Sequence, residues 1–236
     1  MRTPCSLISL LVLLAWTLAG CGSSQPGTVR VRPASIAIPG RPVPLEETYR
    51  GCPPAGRGNE DPFINQLKNR VDRPAHPVTF TFRQIEGLDW PPGVTDVVTA
   101  RWPAAARARI FRHDGAPVRF TGYLSSADAG GPEPANCNQP GVVDWHLWLG
   151  PQPHLPHTLT FIAEIPPRIR ARESGFDLNR LRLLAARGLK VRVTGWLMFD
   201  SEHPEQPNQR ATIWEIHPVT HVEVWSAHAW HTVAGL

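Results

Sequence analysis

Near its C-terminus the chain reads Lys190-Val191-Arg192-Val193-Thr194-Gly195-Trp196-Leu197-Met198-Phe199-Asp200. After a polar loop at residues 201–210 it continues Ala211-Thr212-Ile213-Trp214-Glu215-Ile216-His217-Pro218-Val219-Thr220-His221-Val222-Glu223-Val224-Trp225. Both runs alternate apolar and polar residues and are rich in β-branched and aromatic side chains, which indicates a pair of β-strands. The first run has a near copy upstream, Val118-Arg119-Phe120-Thr121-Gly122-Tyr123-Leu124. The two copies predict two strands in similar environments of one sheet.

Further alternating runs predict five strands in all, at residues 118–125, 142–149, 158–165, 191–200 and 211–224. A helix is expected at residues 176–187, because Asp177 or Ser174 can cap its start and Gly188 can end it. Three strands, a helix and two strands follow the order of an OB-fold, a five-stranded Greek-key barrel. The sequence therefore predicts a mainly β fold: an OB-fold-like barrel with one helix between strands three and four, plus an N-terminal extension.

The twin runs fit this fold, because strands one and four are neighbours in an OB-fold barrel. Gly122 and Gly195 fall in the middle of these strands, where a tightly coiled barrel needs a bulge or a close backbone approach.

These runs resemble OB-fold domains of uncharacterised bacterial envelope proteins. The resemblance rests on residues 118–124, 144–149, 162–166, 195–204 and 214–224, and so covers roughly the C-terminal half of the chain. It implies the fold and carries no assigned reaction.

The N-terminus predicts the compartment. Arg2 precedes an apolar run at residues 6–19, which is short for a membrane span and typical of a signal peptide. The run ends Leu18-Ala19-Gly20-Cys21, which resembles the lipobox of bacterial lipoproteins. That resemblance implies cleavage before Cys21, lipidation of its sulfur and anchoring to a membrane outside the cytoplasm. Gly22 after the cysteine implies the outer membrane, on its periplasmic side, if the cell is Gram-negative. The alternative is an ordinary signal peptide with an incidental cysteine.

Composition divides the chain into five parts. We expect a signal peptide at residues 1–20, a Pro/Gly/Ser-rich tether at 21–44, an N-terminal extension packed on the barrel at 45–117, the barrel at 118–226 and a tail at 227–236. Within the extension, Asp61 and Pro62 predict the start of a short helix. Residues 78–85 predict a strand, Trp90 is expected to be buried in a turn, and a helix is expected after Pro103.

The cysteines and the charge limit the chemistry. Once Cys5 leaves with the signal peptide and Cys21 is lipidated, Cys52 and Cys137 remain, and they form either a disulfide or two free thiols. The net charge of +4 over 236 residues is mild and does not by itself predict nucleic-acid binding. No Gly-x-Ser-x-Gly motif marks a serine nucleophile.

Alternate residues of a strand share a face, so the polar residues of three strands can be placed together. Asp144, His146 and Trp148 share one face of the second strand, and Glu215 and His217 share one face of the fifth. Glu164 lies on the polar side of the third strand, and the whole face is expected to point away from the core. We take these six residues as a candidate ligand face. His146, Glu164, Glu215 and His217 are the candidate ligands for a divalent metal. The competing interpretation is an ordinary polar strand face.

Two further segments are candidates for binding. Asp200, Glu202 and His203 lie in the loop between strands four and five, which borders the ligand face of OB-folds, although a solvated acidic turn explains them as well. Arg168, Arg170 and Arg172 would form a basic row if that segment were extended, as a single-stranded nucleic-acid binder requires. The outward aromatics for that role would be Tyr123, Trp148 and Trp196; an arginine fringe paired with acids is the alternative.

Three functions follow from these features. The first is a lipid-anchored envelope module that binds a small ligand or an unknown envelope protein and is not an enzyme. The second is a metal-dependent hydrolase built on the acid and histidine face. The third, with the least support, is an exported binder of single-stranded nucleic acid. No organic cofactor is expected.

Overall fold

A computed structural model describes residues 48–58, 61–94, 96–203 and 208–233. Five strands form a closed barrel: β2 (Pro117–Ala129), β3 (Trp145–Gly150), β4 (Phe161–Ile165), β5 (Lys190–Phe199) and β6 (Trp214–Ser226). They are hydrogen-bonded in the order β2-β3-β4-β6-β5, and β5 returns to β2 and closes the ring. The β4–β6 pairing is parallel, and the other four pairings around the ring are antiparallel. This is the OB-fold topology predicted from the sequence.

The twin runs pair with each other in this barrel. Val118 lies opposite Gly195 and Gly122 lies opposite Val191 in the antiparallel ladder between β2 and β5. The register between β5 and β6 shifts on both sides of Gly195. A Cβ atom there would lie 2.3 Å from the carbonyl oxygen of Pro218, so a close backbone approach requires this glycine, as expected.

Alternation along the strands builds the core. Leu147, Leu149, Phe161, Trp214 and Ile216 point into the barrel and are buried in one cluster. Helix α5 (Leu178–Ala186) lies between β4 and β5, where the sequence predicted it, and the Asp177 carboxylate accepts a hydrogen bond from the backbone N–H of Arg180. Leu181 and Leu184 of α5 are buried against the same core.

The extension is made of short elements. They are α1 (Pro62–Lys68), β1 (Val78–Phe80), α2 (Phe82–Glu86) and α3 (Ala104–Ile110). Strand β1 pairs in parallel with β2, and α1 packs beside β6. Asp61 caps α1 through the backbone N–H of Phe63, at the position predicted for the helix start.

Several local predictions are wrong. The strand expected at residues 78–85 ends at Phe80, because Thr81 and Gln84 form a capping box that starts α2. Trp90 is 40% exposed rather than buried, and Trp196 is buried rather than outward-facing. The segment expected as a C-terminal tail contains β7 (Ala229–Thr232), which pairs with β6. Within the described residues, no helix has the length and apolarity needed to cross a bilayer.

A disulfide joins the extension to the barrel. Cys52 and Cys137 are bonded with an S–S distance of 2.07 Å. Arg168 donates hydrogen bonds to the Cys52 carbonyl oxygen at 2.7 Å and to Asn69 Oδ1 at 2.8 Å. Asn69 in turn donates to the carbonyl oxygen of Ala135 at 2.8 Å. The N-terminal segment is therefore fastened to the β2–β3 loop, residues 130–144, beside that bond.

Candidate functional site

The polar residues of β3, β4 and β6 lie together on the outer face of the barrel. His146 lies opposite Glu164 in the β3–β4 ladder, with His146 Nε2 3.4 Å from Glu164 Oε1. His217 lies on β6, the next strand after β4 in the sheet: its Nε2 is 3.0 Å from Asp144 Oδ2, and its Nδ1 is 3.4 Å from Glu164 Oε2. Nδ1 of His217 is also 3.2 Å from Glu215 Oε1. We call these five residues, Asp144, His146, Glu164, Glu215 and His217, the acid–histidine cluster.

This face points away from the barrel interior, as expected, but it is covered rather than open. Asp144, Glu164, Glu215 and His217 are all buried. Helix α1 and the β2–β3 loop lie over them, and the side chain of Asn136 in that loop donates to Asp144 Oδ1 at 2.8 Å. An alternating strand pattern indicates only the side of the sheet on which a residue lies, so it does not predict that other segments cover this face.

Lys68 joins the cover to the site. Its Nζ is 3.1 Å from Glu133 Oε2 in the β2–β3 loop and 2.6 Å from Glu202 Oε2 in the β5–β6 loop. Burial disfavours the charged amine, but Glu133 and Glu202 outweigh that effect and raise the pKa of Lys68 well above its usual value. Three separate segments thus meet at one buried cation.

Arg210 is a second buried cation that pairs with two acidic residues. It lies 2.5 Å from Asp200 Oδ2 and 3.1 Å from Glu215 Oε2, and it is fully buried. His203 Nδ1 lies 2.9 Å from Asp200 Oδ2 as well. The interpretation of Asp200, Glu202 and His203 as a solvated turn is wrong for the two acids, because both are buried in ion pairs.

A pocket of 280 Å³ opens beside the cluster. Its walls come from β3, β4, the β2–β3 loop, the β5–β6 loop and Lys68 of α1, and include His146, Trp148, Glu164, His203 and Arg210. The ring of Trp148 is stacked on His157 with centroids 3.6 Å apart. The pocket therefore combines ionisable groups with a fixed aromatic ring.

The cluster favours bound protons. Burial opposes the charging of His217, but Glu164, Asp144 and Glu215 outweigh it and raise the pKa of the imidazole well above its usual value. Burial and the nearby Glu215 raise the pKa of Glu164 well above its usual range. Burial, with Asp144 beside it, raises the pKa of Glu133 to about 7. These three raised pKa values show that the site stabilises positive charge.

The pKa values of Asp144 and His146 are lowered instead. Burial alone would raise the pKa of Asp144, but the close approach of the His217 imidazole holds it well below its usual value. Burial lowers the pKa of His146. An ionised Asp144 and a neutral His146 therefore border the same pocket.

Sequence reasoning placed six residues on this face and missed Lys68, Glu133, Asn136 and Arg210. One signal was present: Lys68 is one of only two lysines, with Lys190, among the 24 basic residues. A lone lysine near a helix end is still no evidence of a site, and nothing in the sequence marks Glu133 or Asn136.

The arginine row expected for nucleic acid is absent. Residues Pro167–Arg172 form helix α4, so Arg168, Arg170 and Arg172 do not line an extended face. Arg168 is buried against Asn69 and Cys52. Arg170 lies 4.2 Å from the ring centroid of Trp145 and donates to the carbonyl oxygen of Val143 at 2.7 Å. Trp196, one of the expected stacking rings, is covered by the Arg70 guanidinium at 3.4 Å.

Comparisons with known proteins give one structural likeness. No protein-family model and no curated protein sequence matches the chain. A solved structure described as the crystal structure of yeast Stn1 and Ten1 is similar at 13% sequence identity, with 78% of each chain covered and a TM-score of 0.35.

Proposed function

We propose that this protein is a lipid-anchored binding module whose ligand occupies the pocket beside the acid–histidine cluster. One observation carries the proposal: the pocket is walled by β3, β4 and the β2–β3 and β5–β6 loops. These elements correspond to the face and loops with which OB-folds bind oligosaccharides and oligonucleotides.

The pocket favours a ligand with a ring and polar groups. Trp148 supplies an aromatic surface already held by His157, so little side-chain freedom is lost on binding. His203 and Gln209 supply polar groups on the β5–β6 side of the pocket. Sugars and nucleobases both present flat or ring-shaped faces to such a surface.

The binding test uses two fluorescent probes, a cell-wall oligosaccharide and a single-stranded oligodeoxythymidylate, titrated into the full chain in detergent. We expect one probe to bind, and Trp148→Ala to weaken its binding about tenfold, which corresponds to about 1.4 kcal/mol of lost stacking. Trp225→Ala is the control, because Trp225 is exposed on β6 and outside the pocket lining. Equal binding by both variants would show that the ligand does not bind in this pocket. Strong salt dependence of the DNA probe would favour the nucleic-acid alternative.

The anchor is a separate part of the proposal. It rests on the signal-like run and on Leu18-Ala19-Gly20-Cys21, which lie outside the described residues. Two or more acyl chains on one residue hold a protein stably on a bilayer. We expect the exported chain in the membrane fraction and a Cys21→Ser variant without the lipid-dependent increase in mass. A wild-type chain with an unmodified Cys21 by mass spectrometry would refute the anchor and leave the pocket untouched.

A metal-dependent hydrolase is the second candidate. It is favoured by the position of Asp144, His146 and Glu164, which all line the pocket, so an ion bound at this face would have an open side. The check is turnover of chromogenic ester and phosphodiester substrates with added Zn²⁺ or Mn²⁺. Activity lost in Glu164→Gln would establish this candidate, and no turnover with any added ion would eliminate it for these substrate classes.

A further inference from the structure

We infer that Asp144, Glu164 and His217 hold one divalent transition-metal ion, and that Glu215 positions the His217 ring for it. The inference rests on the proposed function, since it names a ligand of the same site. One ligand atom from each of the three side chains lies within 4.8 Å of the others, and all three residues are buried. Asp144 directly precedes β3, and Glu164 and His217 lie on β4 and β6, so the barrel fixes their separation.

Two atoms of this group are left without hydrogen bonds. Nε2 of His217 and Oδ2 of Asp144 are inaccessible to solvent and make no hydrogen bond within the described part of the chain, although they lie 3.0 Å apart. Buried polar atoms are almost always satisfied, so such a pair calls for an explanation. A cation that accepts a lone pair from each atom would satisfy both at once.

The other ring nitrogen of His217 is already in use. Nδ1 lies 3.2 Å from Glu215 Oε1, and Arg210 donates to Glu215 Oε2 at 3.1 Å. A metal-bound histidine commonly donates its second ring N–H to a carboxylate, which fixes the tautomer and the ring orientation. Glu215 is therefore a positioning residue here, whereas the sequence had placed it among the ligands, and Asp144 takes the ligand position in its stead.

The distribution of charge around the site also favours a bound cation. Lys68 pairs with Glu133 and Glu202, and Arg210 pairs with Asp200 and Glu215. Among the described residues, neither Asp144 nor Glu164 has a lysine or arginine nitrogen within 4.0 Å. These two carboxylates remain without a permanently charged partner, and one divalent ion would balance both.

The donor set selects the class of ion. An imidazole nitrogen with two carboxylates suits Zn²⁺, Mn²⁺, Fe²⁺ or Co²⁺ better than the hard ions Mg²⁺ and Ca²⁺, which prefer oxygen ligands alone. Zinc bonds of about 2.0–2.2 Å place tetrahedral ligand atoms roughly 3.3 Å apart. The 3.0 Å separation of His217 Nε2 and Asp144 Oδ2 is close to that spacing, and a ligand atom of Glu164 lies within 4.8 Å of the other two ligand atoms. His146 stands at the edge, with its side chain 30% exposed.

The test measures metal alone. The full chain is purified in detergent without a metal-affinity tag, stripped with a chelator, and titrated with Zn²⁺ by calorimetry and with Co²⁺ by visible absorption. We expect one equivalent to bind, with imidazole-dependent d–d bands for Co²⁺. Asp144→Asn and Glu164→Gln should each weaken Zn²⁺ binding by at least about 100-fold, and Glu215→Gln by about 10–100-fold with altered Co²⁺ bands.

Glu223→Gln is the matched control. Glu223 is also a glutamate of β6, but it lies away from the cluster and pairs with Arg192, whose guanidinium is 2.5 Å from it. Its loss should therefore leave metal affinity unchanged. Thermal melts of the metal-free variants show which of them are folded, and only folded variants are compared. A folded wild-type chain that binds no Zn²⁺ or Co²⁺ would overturn the inference, as would undiminished binding in both Asp144→Asn and Glu164→Gln.

The two proposals fail separately. Probe binding that depends on Trp148, in a chain that binds no metal, would leave the binding module and remove the ion. Stoichiometric metal in a chain that binds neither probe would leave the ion and remove the proposed ligand classes.

Discussion

Asp114 lies in the turn before β2, where it is 5% exposed and its Oδ1 accepts a hydrogen bond from the backbone N–H of Phe199 at 3.0 Å. Burial raises the pKa of this carboxyl from 3.8 to about 7, although the Phe199 N–H opposes the shift. A raised pKa means that the folded state binds this proton more tightly than the unfolded state. Its contribution to stability is therefore complete below pH 3.8 and is lost as the pH rises toward 7.

Asp114→Asn should remove this loss, because asparagine stays neutral and keeps an acceptor for Phe199. We expect the variant to exceed the wild type in free energy of unfolding at pH 8 by on the order of 2–4 kcal/mol, with a smaller gap at about pH 5. Urea denaturation at both pH values measures the gap.

Asp96→Asn is the control of opposite sign. The backbone N–H of Val98 and the Arg101 guanidinium lower the pKa of Asp96, so its ionised form is the favoured one and its replacement should destabilise the fold at pH 8. A gap for Asp114→Asn that does not grow with pH would contradict the account of Asp114.

For individual residues, the sequence predicts which of them share a strand face, but it does not predict which of them are buried. Asp144, His146, Glu164, Glu215 and His217 do meet, because a period of two places them on one side of adjacent strands. Their burial depends on Lys68 and Asn136, which reach the face from distant segments. No local pattern encodes a contact of that kind.

Among the elements, β5 depends on Gly195. A Cβ atom at this position would meet the Pro218 carbonyl oxygen at 2.3 Å and Ile216 Cγ2 at 2.7 Å. Gly195→Ala should therefore force β5 and β6 apart at the register shift and lower the free energy of unfolding by about 3 kcal/mol.

Chemical denaturation compares this variant with Gly131→Ala, whose added Cβ would find nothing within 4 Å. We expect Gly131→Ala to unfold within about 0.5 kcal/mol of the wild type. Similar losses for both variants would show that the approach at Gly195 does not limit the barrel.

The long elements were predictable, whereas some of the short ones were not. Strands β2, β5 and β6 and helix α5 carry enough residues for a period to emerge, and all four form close to the predicted positions. Helix α2 has five residues, and its capping box overrides an alternation that predicted a strand. Helix α4 begins at Pro167, directly after Pro166, and its arginines bind local partners instead of forming a row.

For the whole molecule, charge is distributed unevenly. The chain carries a net charge of +4, yet the surroundings of the pocket concentrate Glu133, Asp144, Glu164, Asp200, Glu202 and Glu215. The basic surplus therefore comes from other parts of the sequence. Net charge was a poor guide to the site, because a single number averages a buried acidic patch with the basic residues of the rest of the chain.

The Cys52–Cys137 bond joins positions 85 residues apart, and it fastens the segments that cover the cluster. In a reducing cytosol such a bond does not persist, whereas an oxidising compartment allows it to form. If the chain is exported as proposed, Cys52 reaches the oxidising side before Cys137, and the bond can form only when Cys137 has followed. The covered site is then completed only after export, so the supply of metal in the envelope, rather than the cytosolic pool, would decide which ion is loaded.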